Sequence, residues 1–475
     1  MLQDADALPQ LIGDWKALDQ WQTHVNQLFY RVRGDQIRNF YQTFASADYR
    51  LAHALAADYF ERVCKREKST EQRSSSGDQP LTVLELGPGN GNLAACFLSH
   101  LKTLDRDGRI YPRLRYCLVD WEPTVLDAAM KHPGLGPHQA RIHAIRGTVD
   151  HLADVADASV DRMFCNELWN DLPTKLMSRH GAEMEEEYLR PNLSEVLHAK
   201  IEDWAGFIRA FEAKDAEQLR QFPPFFDDLV WEREYRPVEW KDVPYRKTIT
   251  EFMRRIDDQV VVPVNIGAYL TIREAKRLLA PDAVGFSSFD AGTADFKVLN
   301  DPEKPCSGQF GGQQSFMVNF ALAEAVAKQM GSGTVSIESQ REFIGRSLNT
   351  NVLTLMDLLA THPSAGRKME SWEQDRLIVK TIAALNKTYE SPYAAVMAFP
   401  VRGDMPAHER DSLLGLVHDF KASGVPDTVA YLTEEELMRA APDLEEVGYD
   451  VQSFQIALTA PPAPVDYFHL SFQLR

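Results

Sequence analysis

An apolar run that stops at a cluster of glycines constrains the fold of this chain more than any other feature. Residues 81–86 (LTVLEL) are typical of a buried parallel strand, residues 87–91 read GPGNG, and residues 92–104 (NLAACFLSHLKTL) have the spacing of a helix. Glycine allows a tight turn and a close approach of other atoms, because it has no Cβ. The pattern predicts a strand–turn–helix unit of the kind found in parallel α/β sheets.

Further strands and helices alternate along the chain in the same way. Strands are predicted at 115–120 (RYCLVD), 141–147 (RIHAIRG), 159–168 (SVDRMFCNEL), 283–290 (AVGFSSFD) and 333–339 (GTVSIES), with helices between most of them. This alternation favours a parallel sheet covered by helices on both faces. We therefore predict an α/β fold with a Rossmann-like, doubly wound sheet.

Changes in composition divide the chain into four predicted parts. Charged segments with helical spacing, among them EMEEEYLR, interrupt the sheet domain, and two late runs, DVQSFQIAL and YFHLSFQLR, are predicted as paired strands. The parts are 1–80, N-terminal helices that end in a serine-rich loop; 81–170 plus 259–345, the sheet domain; 171–258, a helical insertion that would act as a lid and select the substrate; and 346–475, a C-terminal α+β extension.

The bulk composition disfavours several classes of protein. A net charge of −18 repels nucleic acid at long range, so no nucleic-acid partner is expected. The acidic start lacks the features of a signal peptide and no apolar run approaches ~20 residues, so we predict a cytoplasmic protein without a membrane partner. The 5 cysteines are scattered and the 13 histidines form no helical pair, so neither disulfides nor a metal site is predicted.

The acid just before the glycines indicates which ligand the turn would bind. A dinucleotide site offers helix N–H groups to an anionic pyrophosphate, which a carboxylate would oppose. Glu85 instead suits the cationic methionine end of S-adenosylmethionine, which carries an amino group and a sulfonium. The alternative is a glycine-rich loop that binds nothing. The predicted cofactor site begins with Glu85 and the turn residues Gly87, Pro88, Gly89, Asn90 and Gly91.

A second acid ends the next predicted strand, in CLVDWEP. A carboxylate at that position can accept hydrogen bonds from both hydroxyls of a ribose, so we assign this role to Asp120, with Glu122 as the competing acid. A surface aspartate without a ligand is the alternative. Trp121 would stack on adenine or merely pack, and Thr148, just after the third strand, is assigned to the adenine pocket.

Polar side chains crowd the end of the fourth predicted strand, in NELWNDLP. Asn166, Glu167 and Asp171 are predicted to face the methyl acceptor, because such groups can orient a nucleophile and take its proton. Asn166 is also expected to contact the cofactor. The alternative is a polar N-cap and first turn of the following helix.

Several of these segments together resemble the MidA-like methyltransferases. ELGPGNGNLA, LVDWEP and NELWNDLP are similar to the family's glycine turn, its acid at a strand end and its N-E-x-x-D-A-L-P segment, although NELWNDLP has an additional asparagine and lacks the alanine. GFSSFDAG is similar to a later strand that ends in D-Y-G. The resemblance covers about residues 50–345. It implies a class I methyltransferase fold, S-adenosylmethionine as the donor and a protein arginine as a candidate acceptor.

These features together predict a S-adenosylmethionine-dependent methyltransferase. Its acceptor would be a protein or a small molecule, with a protein arginine or another nitrogen or oxygen nucleophile as the methylated group. Two alternatives stay open on the same fold: a non-catalytic S-adenosylmethionine-binding assembly or interaction protein, and a NAD(P)-dependent oxidoreductase. The sequence also leaves open whether the chain forms a homodimer.

Overall fold

The computed structural model describes residues 9–34, 45, 47–70, 80–331, 333–393, 405–421, 423–425, 431–460, 463 and 465–474. Parts of the predicted N-terminal helical region (1–8 and 35–44) and most of its serine-rich loop (71–79) lie outside these residues.

The described residues form 18 strands and 17 helices. The strands are β1 Gln10–Leu11, β2 Lys16–Ala17, β3 Leu81–Leu86, β4 Leu114–Asp120, β5 Ile142–Arg146, β6 Arg162–Asn166, β7 Lys175–His180, β8 Glu183–Leu193, β9 Leu229–Pro237, β10 Val262–Val264, β11 Gly285–Thr293, β12 Ser307–Phe310, β13 Gln313–Phe316, β14 Val318–Asn319, β15 Thr334–Ser339, β16 Val352–Thr354, β17 Tyr431–Thr433 and β18 Asp466–Gln473. The helices are α1 Leu18–Arg33, α2 Arg50–Thr70, α3 Asn92–Leu104, α4 Pro123–Met130, α5 Glu195–His198, α6 Trp204–Ala213, α7 Ala216–Leu219, α8 Arg246–Met253, α9 Ile266–Leu278, α10 Phe296–Leu299, α11 Phe320–Gln329, α12 Gln340–Leu348, α13 Leu355–Ala360, α14 Ser371–Asn386, α15 Ala407–His418, α16 Glu434–Val447 and α17 Val451–Thr459.

The predicted sheet domain contains a large mixed sheet. Its strands lie in the order β15–β18–β11–β6–β3–β4–β5, and β14 pairs with the end of β11. β3, β4, β5, β6 and β11 are parallel, whereas β18 is antiparallel to both of its neighbours. The chain runs outward from β3 to β5 and then returns to β6 on the other side of β3. Such a reversal opens a crevice at the carboxyl ends of β3 and β6, where ligands bind in sheets of this kind.

Two helical layers cover the central strands of this sheet. On one face, Val83, Tyr116 and Phe164 pack in a core with residues of α2 and α3. On the other face, Leu84 and Met163 pack with residues of α9 and α11. Burial on both faces explains why these strands appear in the sequence as nearly continuous apolar runs. The prediction of an α/β fold with a doubly wound sheet is confirmed.

Residues 171–258 supply three strands of a second, antiparallel sheet that the sequence did not predict. β1 and β2, from the region predicted as N-terminal helices, and β10 complete it. β8 pairs with β7, β2 and β1 along one edge and with β9 along the other. EMEEEYLR, predicted as helical, begins β8. Its acids are stable in a strand because Glu186 pairs with buried Lys175 of β7, and Glu187 lies 3.1 Å from Arg233 of β9. The insertion includes α5 to α8, so it is mixed rather than largely helical.

The end of the chain also differs from the prediction. DVQSFQIAL forms α17 rather than a strand, because Asp450 caps the helix by accepting a hydrogen bond from the Ser453 N–H at 2.7 Å. YFHLSFQLR supplies most of β18, which lies between β11 and β15. The prediction that these two runs pair with each other is therefore wrong, and the last strand completes the large sheet.

Several features are absent from the part of the chain that the structure describes. No helix there has both the length and the apolar character needed to cross a membrane. The 5 cysteines, all within the described ranges, are free thiols. No group of three or more His, Cys, Asp or Glu side chains in those ranges is arranged to hold a metal ion.

Candidate functional site

The glycine turn joins β3 to α3 at the crevice of the large sheet. Gly87, Gly89 and Gly91 have φ angles of 65°, 53° and 82°, which residues with a Cβ rarely adopt. The Gly87 N–H donates to the Val119 carbonyl at 2.9 Å, which ties the turn to β4. Asn90 accepts a hydrogen bond from the Asn92 N–H at 2.9 Å and so helps to start α3. The predicted strand, turn and helix are thus all present.

Replacing two of these glycines by alanine should lower the stability of the protein to different degrees. A Cβ on Gly91 would lie 2.7 Å from the Ala129 carbonyl oxygen. Gly91→Ala is therefore expected to lower the free energy of unfolding by about 2 kcal/mol. A Cβ on Gly89 would meet no described atom within 4 Å, so Gly89→Ala should cost only about 1 kcal/mol, from its φ angle. Urea unfolding measures both, and equal losses would contradict this distinction.

Glu85 lies inside the protein. Its side chain is almost fully buried and accepts a hydrogen bond from the Tyr116 hydroxyl at 2.6 Å. Burial raises the pKa of Glu85 to about 8, although the Tyr116 hydrogen bond acts in the opposite direction. The carboxyl therefore lies next to the turn. As long as no cation is bound beside it, it is largely neutral at pH 7. Its predicted contact with a cationic ligand stays a prediction.

Asp120 ends β4 next to the turn. Its carboxylate accepts a hydrogen bond from the Glu122 N–H at 2.9 Å, and its backbone carbonyl accepts one from the Gly147 N–H at 3.0 Å. Burial raises the pKa of Asp120 to about 7. Trp121 follows at the half-exposed end of the strand, and Thr148 is exposed in a short bridge to His151. The sheet register thus brings Asp120, Trp121 and Thr148 to the edge of the large sheet at which its parallel strands have their carboxyl ends.

Glu122, the competing acid, is already engaged by the protein. Its carboxylate accepts hydrogen bonds from the Thr124 hydroxyl at 3.0 Å and the Thr124 N–H at 3.4 Å, and so caps α4. It also lies 3.5 Å from the Arg31 guanidinium. A capping carboxylate with a cationic partner is a poorer ribose acceptor than one at the strand end. The geometry therefore favours Asp120 for that role.

Asn166 and Glu167 lie at the end of β6, beside β3. Glu167 has a φ of 47°, unusual for a residue with a side chain, and its N–H donates to the Phe289 carbonyl at 2.7 Å. The Asn166 amide donates to the Glu167 carboxylate at 3.3 Å. The Asn166 Oδ1 atom is buried and has no hydrogen-bond partner among the described residues. Strained backbone and an unsatisfied acceptor together are typical of a ligand site.

Two residues that the sequence analysis did not assign join this group. The Tyr467 hydroxyl of β18 donates to the Glu167 carboxylate at 3.4 Å. Asp290 of β11 is fully buried and accepts a hydrogen bond from the Asn170 N–H at 3.1 Å. Burial and the nearby Glu167 charge raise the pKa of Asp290 well above its usual range. Like Asp120, Asp290 is an acid at the end of a predicted strand, so the sequence pattern could have identified it as a site residue. No local sequence pattern identifies Tyr467.

Asp171 belongs to a neighbouring network. Its carboxylate accepts hydrogen bonds from the Tyr30 hydroxyl at 2.6 Å and from the Asn26 amide, both on α1. Burial raises the pKa of Asp171 to about 6, and the Tyr30 hydrogen bond limits this rise. The charge of Asp171 also raises the pKa of Asp120, so the two carboxyls influence each other. The edge is therefore rich in carboxyl groups, and a cationic ligand would favour their ionised forms.

Known proteins resemble this chain over part or most of its length. Residues 63–281 match a family model described as "Putative S-adenosyl-L-methionine-dependent methyltransferase". No curated protein matches the chain.

Three solved structures are similar at low sequence identity. A Burkholderia thailandensis protein is 15% identical, with 74% of this chain and 79% of that chain covered and a TM-score of 0.46. A B. thailandensis protein with S-adenosyl-homocysteine bound is 12% identical, with 97% and 88% covered and a TM-score of 0.48. A SAM-dependent methyltransferase from Aquifex aeolicus is 9% identical, with 59% and 82% covered and a TM-score of 0.25.

The matched segment contains the glycine turn, Asp120 and the residues after β6. S-adenosylmethionine, the cofactor predicted from the sequence, is the one that the description of the family model names. Over residues 63–281 the chain is thus similar to a family of S-adenosylmethionine-dependent methyltransferases.

Proposed function

We propose that the protein transfers a methyl group from S-adenosylmethionine to a nitrogen or oxygen nucleophile. The observation that carries the proposal is the meeting of three groups at one sheet edge. The glycine turn follows β3, Asp120 ends the adjacent β4, and Asn166 and Glu167 follow β6 on the other side. A donor site and an acceptor site would then be neighbours, as direct transfer requires.

The residues at this edge fit the donor in three respects. No atom of the described residues lies within 4 Å of a Cβ built on Gly89, which leaves the turn backbone there accessible to a ligand with respect to those residues. Asp120 ends β4 next to the turn, where its carboxyl would accept hydrogen bonds from ribose hydroxyls. Asn166 keeps a buried acceptor without a partner among the described residues. We assign the methionine end to Glu85 and the turn of Gly87, Pro88, Gly89, Asn90 and Gly91, and the adenosine end to Asp120, Trp121 and Thr148.

The chain's own residues would align the acceptor and take its proton. Bound S-adenosylmethionine supplies an activated methyl group. Asn166 holds the Glu167 carboxylate by its amide, and Tyr467 does so from the other side. Glu167 can then accept the proton that the nucleophile loses, while Asp171 attracts a cationic group nearby.

A protein arginine is the acceptor that we favour. The edge presents the carboxyls of Asp120, Glu167 and Asp171, and a bound guanidinium would pair with them and favour their ionised forms. A small-molecule amine has the same charge and would serve equally in this respect. A cytoplasmic location fits either acceptor.

Titration of ligands into the purified protein tests the proposal. S-adenosylmethionine is expected to bind with a Kd on the order of micromolar, about 8 kcal/mol, and NADH at least tenfold more weakly. A folded protein that binds NADH but not S-adenosylmethionine would favour the oxidoreductase alternative. Tight S-adenosylmethionine binding without transfer of a tritiated methyl group to any protein or small molecule of a lysate would favour the non-catalytic one.

A further inference from the structure

Helix α1 contacts both halves of the proposed site. Through Tyr30 and Asn26 it holds Asp171, on the acceptor side. Through the next residue, Arg31, it reaches the donor side: the guanidinium lies 5.3 Å from the centre of the Trp121 ring and 3.5 Å from the Glu122 carboxylate. A single helix, distant in sequence, thus spans the segments that follow β4 and β6.

Helix α1 binds Asp171 through more than one hydrogen bond. The Asn26 amide donates to the Asp171 backbone carbonyl at 3.2 Å as well as to its carboxylate. Asn26 is also fixed, because it exchanges two hydrogen bonds of 2.9 Å with the backbone of Gln314 in β13. Tyr30 accepts a hydrogen bond from the Gln313 amide at 3.3 Å. Helix α1, β13 and Asp171 therefore form one connected polar network.

The direction of these hydrogen bonds favours the ionised form of the Asp171 carboxyl. Both Tyr30 and Asn26 donate to Asp171, and a donor stabilises the ionised form of a carboxyl against the cost of burial. Nearby Asp120 acts in the opposite direction, because two like charges disfavour each other. Without the donors from α1, the Asp171 carboxyl would be easier to protonate than it is with them.

We propose that Tyr30 and Asn26 are positioning residues that keep Asp171 charged and directed at the site, and that α1 thereby links its donor and acceptor sides. The inference rests on the proposed function, because it requires a cationic donor beside Asp120 and Asp171. Neither Tyr30 nor Asn26 needs to touch the reacting atoms. Their effect passes through the carboxylate they hold.

The test is the pH dependence of S-adenosylmethionine affinity, measured by titration between about pH 5 and about pH 8. Four proteins are compared: wild type, Tyr30→Phe, Asp171→Asn and the double variant. Tyr30→Phe should move the rise in affinity toward higher pH by about one unit, because the carboxyl of Asp171 loses a donor. In the Asp171→Asn background the same substitution should cause no shift. Tyr235→Phe, at an exposed position of β9, is the matched control and should leave the profile unchanged.

The outcomes distinguish the two proposals. No binding to the wild-type protein would refute the proposed function, and this inference with it. Normal binding with an unshifted Tyr30→Phe profile would refute only the role of Tyr30. An equal shift with and without Asp171 would show that Tyr30 acts through the structure of α1 rather than through the carboxylate, and would also overturn the inference.

Discussion

Replacing Asp120 by alanine is expected to weaken S-adenosylmethionine binding by about 100-fold. The carboxylate ends β4 and is half-buried, and in the proposed site it would accept hydrogen bonds from both ribose hydroxyls. A hydrogen bond to a charged group contributes about 1.5–3 kcal/mol, so the loss of two such bonds corresponds to about 3 kcal/mol or more, which is at least about 100-fold in affinity. Isothermal titration of the donor into wild type and Asp120→Ala measures the difference directly.

The control is an aspartate outside the crevice. Asp127 is exposed on α4, a few residues after Asp120, and Asp127→Ala should leave the affinity within about twofold of wild type. Glu122→Ala is the second comparison: it would remove the cap of α4 and lower stability more than affinity. If Glu122→Ala weakened binding more than Asp120→Ala does, Glu122 rather than Asp120 would be the acid that binds the ribose.

The same carboxyl makes the affinity depend on pH. Burial raises the pKa of Asp120 to about 7, so in the free protein the group is partly protonated near neutral pH. A cationic ligand binds the ionised form more tightly, so affinity should rise as the pH increases from about 6 to about 8, with release of a proton. Asp120→Ala should make this part of the profile less steep and leave the contribution of Glu85, whose pKa burial raises to about 8. An affinity that fell over the same range would contradict the predicted charge relationship.

The parts of the site that the sequence predicted follow from one rule about strand ends. The glycine turn, Asp120, Asn166 and Glu167 each come directly after an apolar run, and parallel strands bring such positions to a common edge. The local sequence therefore sufficed to group them. Asp290 obeys the same rule within β11 and could have been included.

The remaining site residues depend on contacts between distant segments. Tyr467 reaches Glu167 across 300 positions, only because β18 inserts between β11 and β15. Tyr30 reaches Asp171 across 141 positions, because α1 packs beside β13. Neither arrangement leaves a periodic or compositional trace. The prediction of a helix for EMEEEYLR was wrong for the same reason, because the partners of its acids, Lys175 and Arg233, lie on other strands.

A buried ion pair connects β6, at the end of the strand opposite the site, to the N-terminal part of the chain. Arg162 begins β6, the strand that ends at Asn166, and its side chain is only 2% exposed. Its guanidinium donates to the Ser287 hydroxyl at 2.9 Å and lies 3.4 Å from the Asp58 carboxylate of α2. Burial lowers the pKa of Arg162 to about 10, while the Asp58 charge acts against this change.

Asp58→Ala is expected to destabilise the protein by about 3–5 kcal/mol, because it leaves the buried Arg162 charge without this partner. Arg162→Met removes the charge and keeps most of the side-chain volume, so its cost should be smaller. The double variant should then be more stable than Asp58→Ala alone, which urea unfolding of all four proteins in a double-mutant cycle would reveal.

Asp58 has a second partner, and this must be separated from the first. Arg62, one turn along α2, lies 2.8 Å from the same carboxylate but is partly exposed. A pair one turn apart on a helix with a partly exposed guanidinium contributes about 0–1 kcal/mol, so Arg62→Ala should change stability little. If the two single losses, Asp58→Ala and Arg162→Met, simply added in the double variant, the ion pair would not couple α2 to β6. If they do not add, α2 helps to hold β6, and with it Asn166 and Glu167, in place.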